Sequence, residues 1–285
     1  MRHPPGSFGP TERLQKAYED GIRKITGRVL KPRRPEQTLE EWLAELEERS
    51  RAKDVQQASE LLATRMVRWA NTGNVKTWRE AAAKSQHSRK LFRLLEAEMR
   101  GATGEAVRRL VAENAQYIRS VPIDAASKLV EEVAAAQQRG ARAGTIDKML
   151  RTRFPKLVRS RVHLISRTET AKAALALTQA RAEEVGAQFA EWLTSQDVRV
   201  RDSHRKMDKV IFAWNDPPNP EQLAGEDRSY GDYGPGGIFN CRCTSRVILS
   251  IDDITWPRRV HRNGVVRQMT KPQFMKEFGL NGESA

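Results

Sequence analysis

The hydrophobic pattern of this sequence changes period once, near Gly186, and that change limits the folds open to it. Up to that glycine, apolar residues recur every three or four positions, the spacing of one helix face. Beyond it come short runs rich in aromatic and β-branched residues, at Gln188 to Leu193, Lys209 to Ala213 and Arg246 to Ile251, the composition of strands. The pattern predicts an α+β chain: a mainly α-helical N-terminal region, then a C-terminal domain with a long helix and a small, mostly antiparallel sheet.

Helix boundaries follow from local chemistry. Thr38 to Glu41 has the capping-box pattern, in which the threonine oxygen accepts a first-turn amide and the glutamate reaches back. A long helix should start there, with Val55, Ala58, Leu62, Met66 and Trp69 on one face and Asn71 to Gly73 as its stop. Thr77 to Glu80 repeats the cap for a helix carrying Leu91, Phe92, Leu95 and Met99. Glu105 to Ser120, Asp124 to Arg139 and a short helix ending at Phe154 follow, with Pro122 and Pro155 as breakers. Lys156 to Val185 is the longest predicted helix. Val162, Ile165, Ala173, Leu177 and Ala180 share its inner face, and its many alanines let another backbone come close. Trp42, Trp69 and Trp78, at amphipathic spacing, read as core. His87 and His163 have no second ligand type at metal spacing and read as structural or surface residues.

These signals divide the chain into a basic, Pro-rich arm over 1–37 with a short helix from Glu12 to Ile25, a helical region over 38–155, an α+β domain over 156–253, and a tail over 254–285 with one more helix around Gln273 to Phe278. The C-terminal domain is expected to fold alone, and residues 1 to about 155 to supply attachment to a larger assembly.

Fifty Lys and Arg against thirty-six Asp and Glu give a net charge of +14, so a polyanion is an expected neighbour. The cations are scattered along helices (Arg108, Arg109, Arg151, Arg153, Arg159, Arg161), which suits non-specific contact with double-stranded DNA phosphates better than base reading. No apolar run is long enough for a membrane-spanning segment, and the N-terminus lacks an apolar signal core; the sequence reads as a protein kept in the cytoplasm.

Between Ile165 and Val247 the sequence resembles the phage head-morphogenesis family typified by the minor head proteins of phages Mu and SPP1. The resemblance rests on Arg167-Thr168-Glu169 within a helix, Trp192, the run from Asp197 through Arg199, Arg201 and Asp202 to His204, Pro235-Gly236, and Asn240-Cys241-Arg242-Cys243. Two features depart from the family pattern. Met207-Asp208-Lys209 stands where the family commonly has a leucine followed closely by a glycine, and the loop from Gly234 to Gly237 lacks an acidic residue often found there. The resemblance implies a non-enzymatic minor capsid protein of a tailed phage or prophage, made in the host cytoplasm and carried in the virion. Its implied partners are the portal protein and capsid or scaffolding proteins, and its implied roles are procapsid assembly, DNA packaging or DNA ejection.

The chemistry of the same stretch leaves rival readings open. Cys241 and Cys243 are the two cysteines of the chain, and on a strand residues i and i+2 share a face, so both sulfurs could meet one ion. His204 is a third candidate zinc ligand, with Asp197, Asp202 or His261 for a fourth. The rivals are a pair of buried thiols beside a hydrogen-bonded histidine, and a cysteine–histidine hydrolase using Asp202 to orient the base. Arg167, Glu169, Arg199, Arg201 and Asp202, with Arg242, read as a charge-paired network tying helix to loop. A nuclease, or a toxin delivered from the virion, could use a comparable set of Arg, His and Glu on phosphate. No nucleophile elbow, zincin motif or phosphate loop supports either enzyme.

Overall fold

A computed structural model describes residues 6–34, 36–84 and 101–280. The helix expected around Leu91 to Met99, and His87, lie outside them. The chain forms two compact units, neither of them a single stretch of sequence. One holds Arg13–Val67 and Arg109–Glu169; the other holds Met1–Glu12, Arg68–Arg108 and Thr170–Ala285.

The first unit is helical. It contains α1 (Glu12–Val29), α2 (Leu39–Arg51) and parts of α3 (Lys53–Lys84), α4 (Ala102–Gln138) and α5 (Ala143–Val185). The stretch expected as an arm is folded: α1 buries Leu14, Tyr18, Ile22, Ile25 and Val29. Tyr18 Oη donates to Asn114 Oδ1 at 2.8 Å, fixing α1 to α4. Trp42 packs edge-on against Phe154, ring centroids 4.9 Å apart, and donates its indole N–H to the Lys31 carbonyl. The capping box at Thr38 and Glu41 is present, but the helix it starts ends at Arg51.

Four sequence signals are overridden. Pro122 lies inside α4 and Pro155 inside α5, where an interior proline costs about 3 kcal/mol. What offsets that cost is burial: an apolar stripe crosses Pro122 on α4, and on α5 Phe154 packs on Trp42 just before Pro155 while a buried stripe follows it. Ile118, Val121, Ala125, Leu129 and Val133 are all buried on α4, as are Val158, Val162 and Ile165 on α5. Two ion pairs flank the second proline, Arg153 to Glu132 at 2.8 Å and Arg161 to Asp124 at 2.6 Å, and their order makes the two helices antiparallel. Asn71 to Gly73 does not stop α3, because Ala70, Asn74, Trp78 and Ala82 continue a buried face through it. Thr77 accordingly is no cap; its hydroxyl donates back to the Gly73 carbonyl. The buried face of α3 runs through Val55, Ser59, Ala63, Met66 and Ala70, so Ala58 is only partly covered and Trp69 stands 40% exposed.

The second unit is built on a five-stranded sheet. Its strands are β1 (Phe189–Leu193), β2 (Ile211–Ala213), β3 (Thr244–Ile248), β4 (Arg258–Arg262) and β5 (Val265–Met269), in the order β3-β1-β2-β4-β5. All neighbours are antiparallel except β2 and β4. β4 and β5, in the stretch read as tail, are joined by Asn263 and Gly264, both at positive φ, the combination a tight two-residue hairpin demands.

Both sheet faces are buried, which is why every residue of β1 is covered. One face carries Phe189, Ile211, Ala213, Val260 and Met269 under Phe274 of α8 (Lys271–Glu277), after two shorter helices, α6 (Asp202–Lys206) and α7 (Pro220–Ala224). The other face carries Ala190, Trp192 and Phe212 against Ala182 of α5, Trp78 of α3 and Phe8. The inner face predicted for α5 is buried at all five positions. Phe8 also bridges the outer edge of β3, its N–H donating to the Ser245 carbonyl at 2.9 Å.

Phe8 and Trp78 therefore belong to the core that residues 156–285 were expected to complete alone. A fragment of residues 156–285 is expected to lack a cooperative unfolding transition, whereas the full chain shows one by circular dichroism in denaturant. Trp78→Ala in the full chain should cost about 3–5 kcal/mol. A fragment as stable as the full chain would show that this part of the core is dispensable.

Candidate functional site

The densest buried chemistry lies where α6, the Gly-rich loop after Tyr230 and the start of β3 meet. His204 is held on α6, and Cys241 and Cys243 lie in the extended residues just before β3, not within the strand as expected. All three are at least 96% buried. The two sulfurs nevertheless converge: His204 Nδ1 is 3.5 Å from Cys241 Sγ and 3.5 Å from Cys243 Sγ. Neither cysteine is in a disulfide.

Local backbone explains this convergence. Asn240 takes a left-handed φ of 55°, which asparagine tolerates better than most residues, and turns the chain into the cysteine pair. Gly236, at φ 94°, lies so close to neighbouring backbone that a Cβ there would stand 3.3 Å from the Cys243 carbonyl and 3.4 Å from that of Ala171. Glycine on one side and alanine on the other set this approach. Trp192, fully buried, stands edge-on to the His204 ring at 5.4 Å and closes the apolar side.

Two residues missed by sequence reasoning complete the centre. Tyr233 Oη donates to Glu221 Oε1 at 2.6 Å, and the same oxygen lies 2.9 Å from His204 Nε2. Because the tyrosine proton is directed at the carboxylate, its oxygen accepts from His204 Nε2–H, which leaves Nδ1 of the neutral ring as a bare lone pair facing the sulfurs. Burial, together with the Glu221 charge, pushes the Tyr233 phenol far above its usual range, so the proton stays in place. Glu221 is wholly buried at the start of α7, where Asn219 Oδ1 caps the Gln222 amide. Nothing in the Asn-Pro-Glu or Asp-Tyr-Gly runs marks these residues beyond their turn character.

The thiols are electrostatically unlike. A hydrogen bond from Cys243 holds the Cys241 thiol well below its ordinary range, against the burial that would raise it. Cys243, the partner giving that bond, is raised, and burial pushes it the same way. Two soft sulfur donors and one imidazole nitrogen thus form the single group among the described residues with spacing for a metal ion. They are too enclosed to present a nucleophile to a bulky substrate.

The other expected ligands are engaged elsewhere. Asp197 forms a bidentate pair with buried Arg242, one contact being 2.6 Å, and also accepts the Arg199 amide. Asp202 is exposed and 3.5 Å from Arg205. His261 uses both ring nitrogens, Nδ1 with the Asp216 carbonyl just after β2 and Nε2 from the Gly264 amide of its own hairpin. Asp197, Arg199 and Arg242 come together, while Arg201 donates to the Phe239 carbonyl and lies over its ring. Arg167 and Glu169 sit on α5 in the helical unit, where buried Glu169 adds to the burial that raises the Tyr18 phenol. His163, also there, is exposed and pairs with Glu19.

Residues 127–246 match the family described as Phage Mu protein F like protein, the phage head-morphogenesis family whose pattern the sequence resembles. An uncharacterized protein of Haemophilus influenzae is 33% identical over 174 residues, covering 61% of this chain and 35% of that protein. The chain thus spans about a third of the length of the curated relative it matches. No solved structure matches.

Lys209, in the turn that departs from the family pattern, has φ 61°, a conformation that costs a side-chain-bearing residue about 1–2 kcal/mol. Its amide donates to the Trp192 carbonyl at 2.7 Å, so the turn directly supports the strand behind His204. Lys209→Gly should relieve the strain and, after the entropy cost of glycine, stabilise the protein by about 0.5–1 kcal/mol. Denaturant titration of both forms checks this; a less stable glycine form would place the strain elsewhere.

Proposed function

We propose that this chain is a minor head protein of a tailed phage or prophage, structural rather than catalytic, that associates with the portal or inner capsid. The observation that carries the reading is the match of residues 127–246 to the Phage Mu protein F like family. Two physical features support a structural role. The buried cysteine–histidine centre is closed to a bulky substrate, and none of the described helices is long and apolar enough to cross a membrane. In this reading the protein enters the procapsid during assembly in the host cytoplasm and remains in the virion, where it assists DNA packaging or ejection. A map of assembled heads should contain it at the portal vertex or on the inner shell. Mature heads and procapsids free of the protein would overturn this reading.

Double-stranded DNA is the second partner we propose. On α5, Lys148, Arg151, Lys156 and Arg159 are all exposed, and at about 100° per residue they fall on one face roughly three turns long. Such a face can follow phosphates without reading bases. Affinity should fall steeply with salt, and replacing all four residues by glutamine should reduce the slope of log K against log salt by up to about 0.9 per cation that meets a phosphate. Binding that is absent at low salt excludes DNA as a direct partner, and an unchanged slope in the variant moves the contact to another surface.

A further inference from the structure

We propose that His204, Cys241 and Cys243 bind one zinc ion, oriented by Tyr233 and Glu221, which locks the Gly-rich loop and the start of β3 onto α6. The first argument is metric. Zinc–sulfur bonds of about 2.3 Å and zinc–nitrogen bonds of about 2.0–2.1 Å at a tetrahedral angle separate a nitrogen from a sulfur by about 3.5 Å. His204 Nδ1 lies 3.5 Å from both sulfurs. All three donor atoms fall within 4.8 Å of one another, close enough to share one centre without moving the backbone.

The second argument is the direction of the lone pair. A neutral imidazole that donated from Nδ1 could satisfy only one thiol, yet this ring stands equally far from both. Its proton is fixed on the other side by Tyr233, whose own proton goes to Glu221. A ligating histidine characteristically gives its second N–H to an acceptor that ends in a carboxylate, and this chain places such an acceptor fully inside the protein. Without a cation, a buried Glu221 that accepts the tyrosine proton on Oε1, with His204 Nε2 3.7 Å from that oxygen, is a costly group, and its second oxygen has no hydrogen-bond partner among the described residues.

The third argument is charge. Two thiolates neutralise a divalent zinc ion, so the occupied centre adds no net charge to an apolar layer that includes Trp192 and Tyr233. Sulfur and imidazole donors select zinc over magnesium or calcium, which prefer oxygen. Three protein donors leave one position, which falls to a water molecule.

The test uses the full chain purified under reducing, metal-controlled conditions. Elemental analysis should return about one zinc per chain, and a chelator should remove it while lowering the unfolding temperature. Exchange with cobalt(II) should give thiolate-to-metal charge-transfer absorption and the intense visible bands of tetrahedral coordination. Because Cys241→Ser and Cys243→Ser also alter buried packing, the orienting pair supplies the second arm. Tyr233→Phe and Glu221→Gln should keep the folded spectrum but weaken zinc affinity about 10- to 100-fold. Metal-free protein that shows no cobalt spectrum and is indifferent to added zinc and to chelator would overturn the proposal, leaving two buried thiols beside a histidine. Undiminished affinity in both orienting variants would overturn the role given to Tyr233 and Glu221.

Discussion

A sheet made of strands three to five residues long has little hydrogen bonding of its own, and here both of its faces are apolar. Such a sheet is stable only if chain from outside it covers both sides. On one side the cover is Phe274 with the aromatic residues around it. On the other it is Trp78 and Phe8 together with α5, contributed by segments far apart in sequence. The cysteine–histidine centre lies within this second layer, packed with Trp192 and Tyr233, and takes its exclusion of water from it. The same burial that encloses the thiols makes the hydrogen bond from Tyr233 to Glu221 matter, because a carboxylate in such a layer needs a donor.

Much of this was legible in the sequence because it depends on local periodicity. The switch from helix to strand near Gly186, the inner face of α5, the first two strands and the final helix were all visible in residue spacing. Pro122 and Gly73 misled because their local costs are real but smaller than the burial of the stripes they interrupt, and Pro155 because the packing of Phe154 before it and the buried stripe after it hold the helix together. The β4–β5 hairpin carried a strong signal, Asn263-Gly264, that its arginine-rich strands disguised. Within the site, the ligand types could be named from composition, while Tyr233 and Glu221 could not. Their importance arises from a three-dimensional chain of hydrogen bonds through residues 12 and 29 positions apart, for which a sequence has no periodic mark.

Net charge also means something different once the helices are in place. Arg153 and Arg161 bind acidic residues of α4 and help to hold two helices together, and Arg242 is committed to Asp197. The cations that line one exposed face of α5 are a small part of the total of fifty, and position rather than number fits them to a polyanion.

The bridge between Phe8 and Ser245 has a consequence for the order in which the molecule can be made. On a ribosome that adds about 5–20 residues per second, Ser245 follows Phe8 by roughly 240 residues, so tens of seconds separate the two halves of one backbone pairing. Throughout that interval the helical unit can gather its own core, while Phe8 and Trp78 wait for the sheet they cover. Closure of this layer is therefore a late event of synthesis, and until then an aromatic surface is open to whatever chaperone or neighbouring chain reaches it first.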